Sequence, residues 1–330
     1  MIMVIGGAGY IGSHVVLQLA TKSDKVVVVD NLSTGSKEAL QHHETLEVVD
    51  LSDSQALERV FTTYKPETVL HFAAKIDVGE SVQNPIKYYQ NNTMNTLRVL
   101  DHCVRHDVKN LIFSSTAAVY GSTGNKPVKE TDLTSPLSPY GWSKLMSERM
   151  IMDTAAASNL RYVILRYFNV AGSDPMGRIG QRSPKAHHLI KVCLEVALGK
   201  RDHVDVYGTD YDTKDGTGVR DYIHVMDLAS AHLSALEYLD QGHPSTLFNV
   251  GYGTGYSVKE IIQTVQKVTG KEIPVKEIER RPGDSGQTIA DSTKIKQLTT
   301  WKPKFDAIEQ IITDAWNWEQ TMVSPVVKAD

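Results

Sequence analysis

The sequence predicts a doubly wound α/β fold, a parallel sheet covered by helices on both faces, with a second, smaller α/β domain. Three observations predict it. Short apolar runs alternate with helix-patterned stretches through the first half of the chain. Those runs are continuously apolar rather than alternating in polarity, as strands buried on both faces are. A glycine-rich stretch directly follows the first run and opens a helix, the start of a βα unit.

The elements follow in order. IMVI (2–5) reads as a buried strand. The next segment sets Ile11, Val15 and Leu19 on one face of a helix. Further strand-like runs are VVVVD (26–30), EVVDL (47–51), TVLHFA (68–73), NLIFSS (110–115) and YVILRYF (162–168), with helical stretches around 93–106 and 143–157. After about residue 170 the rhythm changes. GSDPMGRIGQRSP (172–184) reads as a loop. A helical pattern follows at 186–198, then VDVYG (204–208), a polar loop and FNVG (248–251). Ser257 and Glu260 form a capping box opening SVKEIIQTVQKV. We read residues 1–170 as the first domain and 171–330 as the second, with segments near 220–250 able to return to the first.

Composition bounds the function. The chain has 330 residues, 41% hydrophobic and 22% charged, enough for a sizeable core. A net charge of -4 does not suggest a nucleic-acid surface. No apolar run approaches the ~18 residues a membrane helix needs, so no membrane partner is expected. Two cysteines, Cys103 and Cys193, form no disulfide framework, and no leader precedes the first strand. A cytoplasmic protein is expected.

GGAGYIG (6–12) spaces Gly6, Gly9 and Gly12 as G-x-x-G-x-x-G. After a strand and before a helix, such a turn lets backbone approach a pyrophosphate, and the helix N-terminus offers free N–H groups. Asp30 ends the second strand. An acid there accepts hydrogen bonds from both ribose hydroxyls of an adenosine and repels a 2′-phosphate. A Rossmann-type domain holding NAD rather than NADP is expected. By itself Asp30 would read as a cap or turn residue. Asp50 and Leu51 close the third run, where they can flank the adenine.

SPYGWSK (138–144) holds the only Tyr with a Lys four residues on. Ser138 and Pro139 read as N-cap and first helical position, which puts Tyr140 and Lys144 on one face. A free Tyr is too weakly acidic to act as a base near neutral pH, and a positive neighbour would lower its pKa.

Strand-end SSTAAVYG (114–121) followed by Tyr-x-x-x-Lys, after an N-terminal glycine loop, resembles the extended short-chain dehydrogenases/reductases. HFAAKIDVGESVQNPIKYYQNN (71–92), FSSTAAVYG (113–121), SPYGWSKLMSE (138–148), LRYFNVAG (165–172) and DGTGVRDYIHVMDLA (215–229) are similar to the UDP-glucose 4-epimerases within that superfamily. The resemblance runs from residue 1 to about 320 and implies a redox-neutral inversion at C4 of a UDP-sugar, with NAD tightly bound.

It also implies roles. Tyr140 is the base for the sugar 4-OH. Lys144 supplies positive charge and binds the nicotinamide ribose. Thr116 hydrogen-bonds the 4-oxygen; without the resemblance it would read as a strand-end hydroxyl bonded to backbone. Tyr10 and Ile11 contact the pyrophosphate. Asp30, Asn31, Leu32, Ser33, Thr34 and Gly35 surround the adenosine ribose, and Asp50 and Leu51 meet adenine. Phe72, Ala73, Ala74, Asn91 and Phe168 complete the cofactor pocket. Asn169 contacts the diphosphate, while His188, Leu189, Asp205, Val206 and Tyr207 flank the uridine. Arg220, Arg281 and Asp284 hold phosphate and ribose, since guanidinium forks pair with phosphate oxygens. A homodimer through the helices around 93–106 and 143–157 is implied.

Three departures stand out. Ile5 replaces a Thr found before the glycines in many relatives. AAKID (73–77) differs from relatives with a Lys one position later, so Lys75 is not expected as a cofactor ligand and Ile76 cannot donate. Thr288 stands where some relatives have a bulky Tyr closing the pocket around the sugar 2-position; the small residue predicts turnover of N-acetylated UDP-sugars as well. Rival readings are a nucleotide-sugar 4,6-dehydratase, which needs an acid and a base where Ala117 and Ala118 stand, a reductase, and a non-catalytic NAD sensor. No metal is expected. His14, His42, His43, His102 and His106 show no metal-like grouping, and His187-His188 is not expected to be a metal pair, since adjacent residues usually point apart. Trp301, Trp316 and Trp318 are expected to pack the small domain.

Overall fold

The computed structural model describes residues 1–21, 25–42, 44–124, 126–183, 188–281 and 284–323. The chain begins β1 (Ile2–Ile5), α1 (Tyr10–Ala20), β2 (Val26–Asp30), β3 (Thr45–Val48), α2 (Ser54–Tyr64), β4 (Thr68–His71). Then come α3 (Val78–Gln83), α4 (Pro85–Tyr88), a π-helical turn (Tyr89–Met94), α5 (Asn95–Arg105), β5 (Asn110–Ser114), α6 (Pro139–Ala156) and β6 (Arg161–Tyr167). The remainder runs β7 (Asn169–Ala171), α7 (Leu189–Ala197), β8 (Val204–Tyr207), β9 (Val219–His224), α8 (Val225–Asp240), β10 (Thr246–Val250), β11 (Gly255–Ser257), α9 (Val258–Thr269), β12 (Val275–Ile278), β13 (Gln287–Thr288), α10 (Thr293–Leu298) and α11 (Ile308–Thr321).

Seven strands form one parallel sheet in the order β10-β6-β5-β4-β1-β2-β3. Residues of β1, β4 and β5 are buried throughout, because helices cover both faces. One face packs Val15, Val16 and Leu19 of α1 with Leu228, Ala231 and Ala235 of α8. The other packs Leu57, Val60 and Phe61 of α2 with Val99 and Leu100 of α5. The chain order reverses beside β1, where β2 lies to one side and β4 to the other. Ligands of open parallel sheets bind outside the strands' carboxyl ends at such a point.

The later chain supplies two small sheets. β9 pairs β7, β11 and β13, and β8 pairs β12. Their core gathers Ile190, Leu194, Val206, Ile261, Val265 and Ile311. Ser257 and Glu260 make the expected capping box on α9, which Gly270 ends in the left-handed conformation at φ 66°.

Two expectations need correction. Trp301 packs in the large-sheet core, not the small domain, because its indole N–H donates to the Asp227 carbonyl of α8 at 2.9 Å. His102 and His106 do meet an acid, Glu58, which arrives from α2 on the neighbouring strand crossing. His43 and His187 lie outside the described residues.

Candidate functional site

The first turn is built so that nothing stands between backbone and ligand. Gly6 has φ +80°, and a Cβ there would lie 2.6 Å from the Ala73 amide nitrogen. A Cβ on Gly12 would lie 2.3 Å from the Gly6 carbonyl oxygen. Gly9 caps α1 without any side-chain acceptor, so the helix's first N–H groups remain for an anion. Asp30 accepts the N–H of Ala8 at 3.0 Å and of Leu32 at 2.8 Å, one on each carboxylate oxygen. Each oxygen keeps a lone pair, as a diol requires. Burial pushes the Asp30 carboxyl upward, and the two amides oppose it.

From this turn a single cavity of about 700 Å³ runs across the carboxyl edge of the sheet. Gly6, Gly9, Tyr10, Ile11, Gly12, Asp30, Asn31, Ser33, Thr34, Leu51, Phe72, Ala73, Ala74, Asn91 and Phe168 line its first part. Thr116, Tyr140, Asn169, His188, Arg220, Asp284 and Thr288 line the rest. Leu32, Gly35 and Asp50 stand just behind. Leu32 adopts φ 57° to donate to Asp30. Gly35 has no room for a Cβ, which would lie 2.9 Å from Asp30 Oδ1. Asp50 accepts from Asn31 Nδ2 at 2.7 Å.

At the cavity's middle, Thr116 ends the extension of β5 and Tyr140 opens α6. Ser138 accepts the Gly141 N–H at 3.2 Å and Pro139 takes the first helical position, so α6 starts where Tyr140 faces inward. Tyr140 is 7% exposed, with Tyr88 edge-on at 6.5 Å between centroids. Burial raises its phenol, and Thr116 opposes the rise. Lys144 is buried one turn on. Its Nζ donates to the Ser114 carbonyl at 2.7 Å and lies 4.7 Å from the Phe113 ring centroid. Burial lowers it to about 7, against the attraction of Glu148. The protein's own groups therefore leave the phenol raised, not lowered as the Tyr–Lys spacing suggested: burial outweighs everything else acting on Tyr140. Glu148 is fixed by Arg166 and Ser115, all beneath the same helix.

The uridine set is less gathered. Arg220 reaches the cavity, its Nη1 donating to the Val219 carbonyl at 2.9 Å and its Nη2 3.9 Å from Asp284. Val206 instead points into the small-domain core, Leu189 packs against that core, and Asp205 faces His203 at 3.3 Å. Alternation along β8 explains this, since neighbouring residues point to opposite faces. The Arg281 guanidinium stacks 3.4 Å from the Tyr207 ring centroid, covering one face of that ring.

Sequence reasoning missed several lining residues, among them Asn95, Gln181, Ser183 and Ser285. It also missed Asn92, whose amide clamps the backbone of Lys75 from both sides, at 2.8 and 3.0 Å, and donates to Ser143. Asn92 lies in the π-helical turn, and no sequence pattern marks its role. Lys75 and Ile76 line the cavity.

Residues 2–251 match the NAD dependent epimerase/dehydratase family. The chain belongs to that family. Its glycine turn and Asp30 fit the NAD on which the family depends. Among relatives similar to it, the UDP-glucose 4-epimerase of Azospirillum brasilense is 47% identical over 99% of this chain and 94% of the relative. The UDP-glucose 4-epimerase of Bifidobacterium longum, solved with NAD+ and UDP, superposes with a TM-score of 0.93 at 37% identity, covering 97% of this chain and 98% of that one. The UDP-Glc/GlcNAc 4-epimerase of Campylobacter jejuni superposes with a TM-score of 0.85 at 48% identity, covering 97% and 99%.

Proposed function

We propose that this family member inverts C4 of UDP-hexoses, interconverting UDP-galactose and UDP-glucose with NAD held throughout. One observation carries the reading: Thr116 and Tyr140 line the same cavity as the glycine turn on one side and Arg220 on the other. The A. brasilense and B. longum relatives support it.

Tyr140 takes the proton from the sugar 4-OH, with Thr116 hydrogen-bonded to the same oxygen. NAD, held by the glycine turn and Asp30, would supply the positively charged hydride acceptor and donor for C4. Lys144 would hold a ribose hydroxyl beneath Tyr140, and the positive charge of bound NAD together with that of Lys144 would offset the burial that raises the phenol. Asn169 and Arg220 grip the diphosphate. The hexose end meets few fixed groups, so the keto sugar turns about its diphosphate link, and Tyr140 returns the proton. Ala117 and Ala118 offer no acid or base for dehydration.

Thr288 forms part of the wall, its hydroxyl 2.6 Å from that of Ser285. A small residue there leaves space beside the sugar 2-position, and we assign the N-acetylated pair as further substrates; the C. jejuni relative supports this. We assign a homodimer through α5 and α6, on which Leu97, Val104, Trp142 and Met146 are exposed, with Met94 exposed just before α5. No described helix is long and apolar enough to cross a membrane. We place the protein in the cytoplasm, which free, buried Cys103 and Cys193 suit, and in galactose metabolism.

Incubation of purified protein with UDP-galactose and no added cofactor tests the main reading. UDP-glucose should accumulate to equilibrium. A protein that carries NAD yet converts nothing would instead be a sensor.

A further inference from the structure

Beyond the cavity, α2 and the end of α5 bring together side chains that the epimerase chemistry does not use. They lie at the sheet's amino edge, opposite the cavity. Glu58 comes from α2, His102 from the last turn of α5, and His106 caps that helix. One donor atom from each lies within 4.8 Å of the others. His106 Nε2 is 3.1 Å from Glu58 Oε1, and His102 Nδ1 is 3.3 Å from Glu58 Oε2. The two imidazoles meet different carboxylate oxygens; a tetrahedral zinc ion with bonds of ~2.0–2.2 Å holds its donors roughly 3.3–3.6 Å apart, so a set now within 4.8 Å would draw in by about 1 Å on binding.

The rings are placed by packing rather than by the carboxylate. Buried Phe61 stacks on His102 at 5.3 Å between centroids and lies 5.6 Å from His106. A cation already sits among them. Arg105 Nη1 is 2.7 Å from Glu58 Oε2, and Nη2 is 2.8 Å from His102 Nδ1. A guanidinium only donates, so that His102 nitrogen presents a lone pair. Two lone-pair atoms 3.3 Å apart repel unless a cation lies near both. Glu58 Oε2 is closed to water and faces Arg105.

We propose that Glu58, His102 and His106 form a site for a borderline divalent metal ion of the zinc type, with the Arg105 guanidinium as its occupant when metal is absent. Two imidazoles and one carboxylate suit zinc, with water as fourth ligand. Arg105 is half-exposed and already pairs with Asp101 at 3.0 Å, so it can withdraw to that partner. Bound metal clasps α2 to α5 and stabilises the large domain without entering the reaction.

The test uses full-length, NAD-loaded protein dialysed against zinc chloride, with wild type, His106→Gln, Glu58→Gln and Arg105→Gln compared. Wild type should retain one zinc ion per chain and melt at higher temperature with it. His106→Gln and Glu58→Gln should each weaken retention about tenfold or more, comparable to losses at altered metal sites. Arg105→Gln should tighten it, because the competing cation is gone. Epimerase turnover should match wild type in all three. Wild type without zinc, His106→Gln with undiminished zinc, or weaker binding in Arg105→Gln would each overturn the proposal. Partly exposed His106 keeps the test meaningful if Glu58→Gln folds poorly.

Discussion

Lys144 Nζ donates to the carbonyl oxygen of Ser114 at 2.7 Å, inside the fold and beneath the cavity. Burial lowers this ammonium from 10.5 to about 7. Below about 7 both folded and unfolded chains hold the proton, and the fold carries the full cost of a buried cation. Between about 7 and 10.5 the unfolded chain binds more protons, so this group makes stability rise with pH. The slope it contributes is at most ~1.4 kcal/mol per pH unit. Urea unfolding of nucleotide-free wild type and Lys144→Met should therefore differ increasingly in favour of wild type as pH rises. A difference independent of pH would refute the assignment.

Tyr140 has no other acid–base work in the fold. Tyr140→Phe should keep NAD and lose about 10²–10⁴-fold in kcat, the usual worth of a general base. Retained nucleotide absorbance with near-normal turnover would return the residue to being a helix start.

Arg220 is a binding prediction. Arg220→Ala should raise KM for UDP-sugars about 10–100-fold, the loss of a charge-assisted contact of ~1.5–3 kcal/mol. Steady-state kinetics with an unchanged KM removes it from the diphosphate site.

Gly12→Ala would set a methyl group 2.3 Å from the Gly6 carbonyl oxygen, which backbone cannot relieve locally. Purified variant should lack bound NAD, read by absorbance and by NAD released on denaturation. A normal NAD content would mean that the turn tolerates opening.

Thr288→Tyr fills the wall beside the sugar. Turnover of UDP-N-acetylglucosamine should fall far more than that of UDP-glucose. Equal losses on both substrates would count against the size argument.

The sequence carried the large sheet because its strands are unbroken apolar runs, and it carried the cofactor end because glycines at a strand–helix junction have few other uses. Tyr140 became legible only beside Thr116 and the glycine turn. What escaped depended on contacts distant in the chain. Asn92 acts by clamping Lys75, and neither residue type nor spacing reveals that. The covered face of Tyr207 depends on where the Arg281 loop lies. The lowered pKa of Lys144 needs the depth of burial, which a Tyr–Lys spacing does not contain. Glu58 and His106 sit 48 residues apart and meet only because α2 and α5 share one face of the sheet.

The edge strand β10 comes from residues 246–250, after much of the smaller domain has been made. It pairs along the whole of β6. As the chain leaves the ribosome, β6 emerges with that side unpaired and must wait for a partner. During this interval an open apolar edge is available to other nascent chains. A fragment ending near residue 170 would keep that exposure permanently and should be recovered as aggregate. Completion of the nucleotide-binding half is thereby tied to synthesis of its neighbour, and a chain cut short by premature termination yields no half-active product.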